Sequence, residues 1–245
     1  MRKFGLIGYP LSHSFSQKFF TGKFMRENRN DCVYQNFPIP SINGFRTILS
    51  ENPDLEGLNV TIPYKQLVIP LLDNHAGTLP VNACNCIKIR NGRTTGYNTD
   101  IIGFEKTLTP QLKSFHRNAL ILGNGGAAIA VQYVLKKLNI DFKIVSRKIH
   151  DGASFTYEDL NADIILQHLL IINTTPLGMY PRIEECPPIP YEFITEKHYL
   201  YDLIYNPTKT LFLEKGEQKN ASIKNGEEML IIQAEESWRI WNEAD

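Results

Sequence analysis

The architecture of this chain follows from residues 118–138, NALILGNGGAAIAVQYVLKKL. Residues 118–122 are mostly apolar, which predicts a strand buried on both faces. Residues 123–126 form a glycine-rich turn, and residues 127–138 carry the apolar spacing of a helix. A buried strand that ends in glycines and leads into a helix is typical of a mostly parallel, doubly wound α/β sheet.

This turn is suited to the phosphates of a dinucleotide. A helix N-terminus presents unpaired N–H groups and a positive dipole end, and glycine lets a pyrophosphate approach the backbone closely. Taken alone the signal is weak, because the usual third glycine is displaced to give G-x-G-G-A. Glycines at such a turn can also serve only helix packing.

The residues after the next strand, 142–145, indicate which dinucleotide is preferred. NAD-binding domains place a carboxylate there, whereas this chain has Ser146-Arg147-Lys148. Two cations and a hydroxyl suit a 2′-phosphate, and a guanidinium can bind it with two hydrogen bonds. We therefore expect NADP rather than NAD; the alternative interpretation is a solvated basic turn.

Strands and helices alternate along the rest of the chain. Proline and polar residues at 109–117 separate two α/β regions, so we predict domains at 1–109 and 110–225, followed by a last helix at 226–241. The other predicted elements are strands at 3–7, 32–37, 58–60, 169–173 and 199–202, helices at 41–49, 64–72 and 100–108, a helix capped by Ser14 or Ser16, and a hairpin of 83–89 with 93–97.

Composition narrows the classes of function. The 26 basic residues balance the 26 acidic ones, so no bulk field attracts nucleic acid or an anionic membrane. No apolar run approaches the roughly 18 residues that a membrane span needs. The four cysteines are irregularly spaced, which favours reduced thiols in a cytoplasmic protein. Cys84-x-Cys86 has no second Cys/His pair at ligand spacing, so we expect strand residues and no metal.

Three predicted strand-to-helix junctions of the first region carry polar residues. The first holds the hydroxyls of residues 12, 14 and 16, the second has Thr61 four residues before Lys65, and the third holds Asp100. Capping explains only one of the three hydroxyls, a lysine is usually a solvated surface group, and Asp100 is a plausible N-cap. Because the carboxyl ends of strands share one sheet edge, the three junctions together predict a polar ligand cleft.

At this point the chain resembles the shikimate dehydrogenase family over essentially its whole length. The resemblance rests on seven ordered motifs: Gly8-x-Pro10-Leu11-x-His13-Ser14-x-Ser16, Asn59-Val60-Thr61-Ile62-Pro63-x-Lys65, Asn98-Thr99-Asp100, Gly123-x-Gly125-Gly126-Ala127, Asn173-x-Thr175-Pro176-x-Gly178-Met179, Tyr201-Asp202-x-x-Tyr205-x-Pro207, and Asn225-Gly226-x-x-Met229-Leu230-x-x-Gln233-Ala234. It implies an N-terminal α/β substrate domain, a Rossmann-like NADP-binding domain, and a C-terminal helix, 226–245, that returns to the first domain. The implied reaction is the reversible NADPH-dependent reduction of 3-dehydroshikimate to shikimate, in chorismate and aromatic amino acid biosynthesis.

The resemblance also implies roles for individual residues. Lys65 and Asp100 match the catalytic pair, in which a cationic lysine protonates the oxygen left by hydride delivery. The positions that match substrate-binding residues are Ser14, Ser16, Thr61, Lys65, Asn85, Asp100, Tyr205 and Gln233. The positions that match cofactor-binding residues are Gly123, Asn124, Gly125, Gly126, Ala127, Ser146, Arg147, Lys148, Leu203 and Gly226.

Two other functions stay open on the sequence. One is a related dehydrogenase for quinate or a folate-linked substrate, which the Ser14/Ser16 pair and Gln233 argue against. The other is a non-catalytic NADP-binding sensor, which retention of Lys65 and Asp100 argues against. Residues 149–154 are also short for the helix that many family members have there, so we expect an open adenine side. The sequence leaves a monomer and a homodimer equally open.

Overall fold

The computed structural model describes residues 1–11, 15–76, 82–149 and 152–244. It divides into two compact units. Unit 1 comprises Met1–Thr99 and Gln233–Asp245, and unit 2 comprises Asp100–Ile232. The sequence places the corresponding boundaries near residues 110 and 226, because it assigns whole helices to one domain. The chain instead passes between units where the helix at 100 begins and within the last helix.

Unit 1 is built on a six-stranded mixed sheet of order β2-β1-β3-β5-β6-β4. Its strands are β1 (Arg2–Gly8), β2 (Cys32–Pro38), β3 (Leu55–Val60), β4 (Asn74–His75), β5 (Cys86–Arg90) and β6 (Arg93–Tyr97). β1 pairs in parallel with β2 and β3, whereas β5 is antiparallel to β3 and β6. Asn91 and Gly92 have φ of 51° and 74°, the two left-handed residues that the predicted tight hairpin needs.

Helices cover both faces of this sheet. Helix α2 (Gly44–Glu51) packs Phe45 and Ile48 on one face. On the other face, α1 (Phe15–Arg26) and the C-terminal part of α7 (Glu227–Asn242) form an aromatic core. Trp241 is fully buried, stacks on Phe4 at 5.0 Å and donates its indole N–H to the Ile87 carbonyl at 3.0 Å. The part of α7 from Gln233 onward therefore belongs to the unit 1 core, whereas the prediction assigned the whole helix to the first domain.

Unit 2 contains a second six-stranded sheet, of order β12-β11-β10-β7-β8-β9, in which every pairing is parallel. The strands are β7 (Asn118–Leu122), β8 (Asp141–Ser146), β9 (Phe155–Thr156), β10 (Leu170–Asn173), β11 (Tyr199–Asp202) and β12 (Ser222–Lys224). The first three strands run outward from β7 in one direction and the last three in the other. The strand order therefore reverses between β7 and β10, which is the switch point where open α/β sheets bind ligands.

The helices of unit 2 are α3 (Asp100–Leu108), α4 (Gly126–Lys137), α5 (Ala162–Gln167) and α6 (Leu211–Glu217). Residues of β7, β10 and β11 that are fully buried supply its core, as an all-parallel sheet requires. Phe104 of α3 meets Tyr201 edge-on at 5.0 Å, and the hydroxyls of Thr107 and Tyr201 are 2.6 Å apart. Of the helices in the described part of the chain, none is both long and apolar enough to span a bilayer.

One predicted helix is wrong. Residues 64–72 form turns and a short 3₁₀ helix, Ile69–Leu71. The carbonyl of Lys65, which an α-helix would pair with the N–H of Ile69, instead accepts the N–H of Cys84 at 2.7 Å. Pro70 also lacks the donor that a continuing helix needs. This segment therefore follows the sheet edge as a loop, which brings Lys65 next to residues 84 and 85.

Candidate functional site

The glycine turn of unit 2 lies at the carboxyl end of β7 and opens α4. We call residues 123–126 the phosphate turn. Gly123 has φ of +102°, which favours glycine, and its N–H donates to the carbonyl of Val145 at 2.8 Å. Gly125, the N-cap of α4, has φ of −88° and no side-chain cap. The first amides of α4 are thus available to an anion.

Packing does not explain the glycines at 125 and 126. A Cβ added at either position would meet no atom within 4 Å, and both residues are exposed. Because neither backbone strain nor a neighbour requires glycine at 125, close approach of a ligand is the remaining physical reason for it. The small residue that lets helix and strand pack is Ala128, which is fully buried. The pattern is therefore G-x-G-x-x-A, and not the displaced glycine that the sequence indicated.

Ser146 ends β8, and Arg147 and Lys148 follow it at the same sheet edge as the phosphate turn, since Val145 pairs with Leu122. Arg147 and Lys148 are exposed, whereas Ser146 is buried and its hydroxyl donates to the carbonyl of Lys148. That bond shapes the turn and leaves both cations facing solvent. β9 follows, paired in parallel with β8, and residues 147–149 and 152–154 of the connection contain no helix.

A buried carboxylate joins the ends of β10 and β11. Asp202 is fully buried; it accepts the Thr210 hydroxyl at 2.6 Å and the Asn173 amide and Ile204 N–H, each at 3.0 Å. Burial raises the pKa of Asp202 to about 7, and these three hydrogen bonds act in the opposite direction. The other end of the Asn173 amide accepts the N–H and hydroxyl of Thr175. One side-chain pair thereby fixes both loops at the carboxyl edge.

Leu203 and Gly226, both predicted to bind cofactor, lie against each other in unit 2. The N–H of Leu203 donates to Asn173 at 3.1 Å, and the N–H of Gly226 donates to Ile204 at 3.0 Å. A Cβ at Gly226 would collide with the Leu203 carbonyl, so only glycine fits this approach. Tyr205 follows on the same loop; it is exposed, and partial burial of its ring raises the pKa of its hydroxyl.

In unit 1, the predicted substrate residues Thr61, Lys65 and Asn85 lie at the carboxyl end of β3. The N–H of Thr61 donates to Ile7 at 2.9 Å, and the carbonyl of Asn85 accepts the N–H of Val60 at 2.9 Å. Thr61 and Lys65 are each partly exposed. The Lys65 carbonyl accepts the N–H of Cys84, so the backbone of Lys65 is held next to the residue that precedes Asn85.

Asn85 and Gln233 belong to a buried network that also contains Tyr34, Asn59, Thr99 and Ser237; we call these six residues the amide network. All six are at most 7% exposed. Nδ2 of Asn85 donates to Oγ1 of Thr99 at 3.0 Å and to Oε1 of Gln233 at 3.4 Å, while its Oδ1 accepts the Thr99 N–H at 2.7 Å. The N–H of Thr99 therefore fixes which way the Asn85 amide faces, and the network sets the orientation of Gln233.

The remaining predicted residues are placed as follows. Ser14 lies outside the described residues. Ser16 lies within the first turn of α1, so it does not cap that helix, and its side chain contacts the hydroxyl of Tyr34. Asp100 is the first residue of α3 and belongs to unit 2, directly after Thr99 in the chain.

The sequence did not identify Tyr34, Thr99 or Ser237 as functional residues, although Thr99 stands inside a quoted motif. Ser237 lies one helical turn after Gln233, which was its only signal. Of the two cysteines expected in a strand, Cys86 begins β5 and Cys84 precedes it, and both are buried and free. Among the described residues, no group of three or more His, Cys, Asp or Glu side chains could hold a metal ion.

Comparison with known proteins identifies the family. Residues 6–87 match the model of the shikimate dehydrogenase substrate binding domain. A shikimate dehydrogenase (NADP(+)) of Clostridium beijerinckii is 36% identical over 255 residues, covering 99% of this chain and 93% of the relative. One of Methanococcus vannielii is 34% identical over 259 residues, covering 97% and 90%. The chain belongs to the shikimate dehydrogenase family.

A solved structure gives the same assignment for the fold. The shikimate 5-dehydrogenase of Thermus thermophilus, in complex with NADP(H) and shikimate, superposes with a TM-score of 0.86 and 25% identity, covering 99% of this chain and 94% of that one. The family membership confirms the predicted resemblance and the two-sheet α/β fold with a Rossmann-like domain.

Proposed function

We propose that this member of the shikimate dehydrogenase family catalyses the reversible reduction of 3-dehydroshikimate to shikimate with NADPH, within aromatic amino acid biosynthesis. The observation that carries the proposal is whole-length similarity to NADP(+)-dependent shikimate dehydrogenases, with 36% identity over 99% of the chain. The phosphate turn adds physical support, because Gly125 has open space in front of an uncapped helix N-terminus.

The residues of unit 2 fit NADP. Main-chain amides of the phosphate turn and of the first turn of α4 would bind the pyrophosphate, at Gly123, Asn124, Gly125, Gly126 and Ala127. Leu203 and Gly226 would lie at the nicotinamide end. Ser146, Arg147 and Lys148 would hold the 2′-phosphate, since two exposed cations stand where an NAD-binding domain has a carboxylate. When bound, the cofactor supplies a hydride to the carbonyl carbon of the substrate.

Lys65 is proposed as the general acid. Hydride transfer leaves a negative oxygen, and the Lys65 ammonium donates a proton to it; in the reverse reaction the neutral amine takes that proton back. Asp100 is proposed as the second residue of the catalytic pair, as the family resemblance implies. Thus one carbon–hydrogen and one oxygen–hydrogen bond form as NADPH becomes NADP⁺.

Hydroxyls and amides would bind the substrate. Ser14, Ser16 and Tyr205 are proposed to contact the carboxylate, and Thr61, Asn85, Asp100 and Gln233 the ring hydroxyls. The exposure of Tyr205 allows such contact. Asn85 and Gln233 are already oriented by Thr99, so they would need no reorganisation on binding, and a fixed donor pattern favours one arrangement of hydroxyls.

The test is NADPH consumption by the purified protein with 3-dehydroshikimate, with NADH and 3-dehydroquinate as parallel controls. Rapid turnover with NADPH and 3-dehydroshikimate alone is the expected result. Turnover confined to 3-dehydroquinate would move the assignment to a quinate dehydrogenase. NADPH binding without turnover of either acid would contradict an enzyme and support the sensor alternative.

The proposal includes a cytoplasmic location, where the pathway substrate and NADPH are available and four free cysteines stay reduced. The proposed oligomeric state is a monomer or a homodimer. Light scattering of the purified protein at several concentrations distinguishes the two, and fractionation of cells that express the tagged chain tests the location.

A further inference from the structure

We infer that Ser237, which no motif or comparison assigns, is a positioning residue that sets the orientation of Gln233 and Asn85 for substrate binding. The inference rests on the proposed function, because it gives a task to residues placed at the substrate. It comes from the hydrogen bonds of the Ser237 hydroxyl within unit 1.

That hydroxyl is fully buried, so it cannot itself contact a ligand. It donates to the carbonyl of Gln233 at 2.8 Å, which uses its single hydrogen. With that hydrogen used, the hydroxyl can only accept from Nδ2 of Asn59 at 3.0 Å and Oγ1 of Thr99 at 3.3 Å, and the Cys86 thiol also lies beside it. The Ser237 oxygen thereby links α7, which carries Gln233, to Thr99, which is hydrogen-bonded to Asn85.

The hydrogens of this network are limited, which makes its arrangement specific. Thr99 has one hydroxyl hydrogen and three acceptors at 3.3 Å: Ser237 Oγ, Gln233 Oε1 and Asn85 Oδ1. Asn85 Nδ2 supplies the other hydrogen near Gln233 Oε1. Oε1 of Gln233 therefore lies within reach of the Asn85 amide and of the Thr99 hydroxyl, and it competes with Ser237 Oγ and Asn85 Oδ1 for the single Thr99 hydrogen.

Asn59 connects this network to the side chains of Tyr34 and Ser16. Its Oδ1 accepts the Tyr34 hydroxyl at 2.8 Å, and the Tyr34 hydroxyl also contacts the side chain of Ser16. Hydrogen bonds thus run from Tyr34 through Asn59 and Ser237 to the Gln233 carbonyl, and Ser16 lies beside the Tyr34 hydroxyl. Ser16 and Gln233 are proposed substrate residues, whereas Tyr34, Asn59 and Ser237 are at most 4% exposed.

In Ser237→Ala, Nδ2 of Asn59 loses its shorter hydrogen bond and keeps only the one to the Asn85 carbonyl, at 3.3 Å. The helix then loses its contacts with Asn59 and Thr99 through residue 237, and Gln233 is held less firmly. We expect the Kd for shikimate and the KM for 3-dehydroshikimate to rise roughly 3- to 10-fold, as loss of one buried hydrogen bond predicts. The KM for NADPH is expected to stay within about twofold.

A double-mutant cycle separates positioning from a structural role. If Ser237 acts through Gln233, Ser237→Ala has no further effect on substrate affinity in a Gln233→Ala background. The matched control is Thr94→Val, which removes a fully buried hydroxyl of unit 1 that bonds to Asp73 and lies outside the network. It should lower the unfolding midpoint and leave both KM values unchanged.

Tyr34→Phe repeats the test without opening a cavity, in case Ser237→Ala fails to fold. It leaves Oδ1 of Asn59 without its donor and should raise the shikimate Kd in the same direction. The inference is overturned if both variants lose stability but bind shikimate normally, or if their effects add fully to that of Gln233→Ala. A wild-type protein that binds no shikimate would instead contradict the proposed function.

Discussion

The two units prepare their ligand sites by opposite means. The phosphate turn of unit 2 offers main-chain N–H groups and exposed glycines, and Arg147 and Lys148 at the same sheet edge face solvent. The amide network of unit 1 offers side chains that are at most 7% exposed and bonded to one another. Backbone sites depend on local conformation and on empty space, whereas side-chain networks depend on every partner being present.

The difference teaches where stability and binding are coupled. In unit 2, a substitution that fills empty space can abolish binding without touching a packed contact. In unit 1, the residues proposed to orient the substrate also satisfy each other's buried polar groups, so we expect a change in one to affect both stability and affinity. The following predictions test this contrast, in order of decreasing expected effect on activity.

Lys65→Ala should have the largest effect, since it removes the proposed proton donor. We expect turnover to fall by roughly 10² to 10⁴, the scale for losing a general acid, while NADPH affinity changes by less than about twofold. Initial rates and NADPH fluorescence titration measure the two quantities. Lys18→Ala, on an exposed position of α1, is the control. Near-normal turnover in Lys65→Ala would contradict its role.

Gly125→Val should separate binding from stability in unit 2. Its Cβ enters open space and φ of −88° suits any residue, so the unfolding midpoint should change little. The side chain would block the pyrophosphate, and we expect NADPH affinity to fall about a hundredfold. Gly123→Ala is the converse variant, because φ of +102° should cost roughly 1–2 kcal/mol of stability. Unchanged NADPH binding in Gly125→Val would exclude the phosphate turn as a cofactor site.

Arg147→Gln should alter cofactor choice. Loss of charge-assisted hydrogen bonds to the 2′-phosphate should raise the KM for NADPH roughly tenfold, with the KM for NADH unchanged. Arg117→Gln provides a matched control, since Arg117 immediately precedes β7 and therefore lies at the opposite sheet edge. Equal effects on the two cofactors would show that Arg147 does not read the phosphate.

Asp202 should make stability depend on pH, with the smallest effect on activity. The carboxyl pKa is raised by burial to about 7 in the folded state, above its usual 3.8. Between these values the folded protein retains a proton that the unfolded chain releases, so the unfolding free energy falls as pH rises. The slope is at most about 1.4 kcal/mol per pH unit.

Asp202→Asn cannot titrate and keeps an acceptor for the Ile204 N–H. Its unfolding free energy, measured by urea titration between pH 4 and 7, should therefore lack this component of the pH dependence. An identical profile for the variant and the wild type would exclude Asp202 as its source.

The sequence predicted what local patterns specify. Strand β7 begins and ends as expected, because a short apolar run that ends in glycines indicates a buried strand. The helix at 64–72 was wrong, since a tertiary hydrogen bond from Cys84 to the Lys65 carbonyl competes with the helical one. The short strands β4, β9 and β12 and helices α5 and α6 lacked enough residues to show a period.

The same distinction applies to the candidate site. The phosphate turn and the basic residues at 146–148 are each one continuous stretch of sequence, so both were predicted from it. The amide network joins residues 34, 59, 85, 99, 233 and 237, whose proximity depends on the completed sheet and on the last helix. Ser237 could not be singled out, because a serine on a helix gives no signal until its neighbours are known.

The division of the chain also bears on its synthesis. Unit 2 is one continuous segment, Asp100–Ile232, whereas unit 1 needs residues from both sides of it. Trp241, which stacks on Phe4, and Gln233 are synthesised after the whole of unit 2. Because domains fold as units during translation, the cofactor unit can complete its core first. Unit 1 cannot complete its core until α7 has been synthesised. Nascent chains that end before Gln233 should therefore bind NADPH but not yet shikimate.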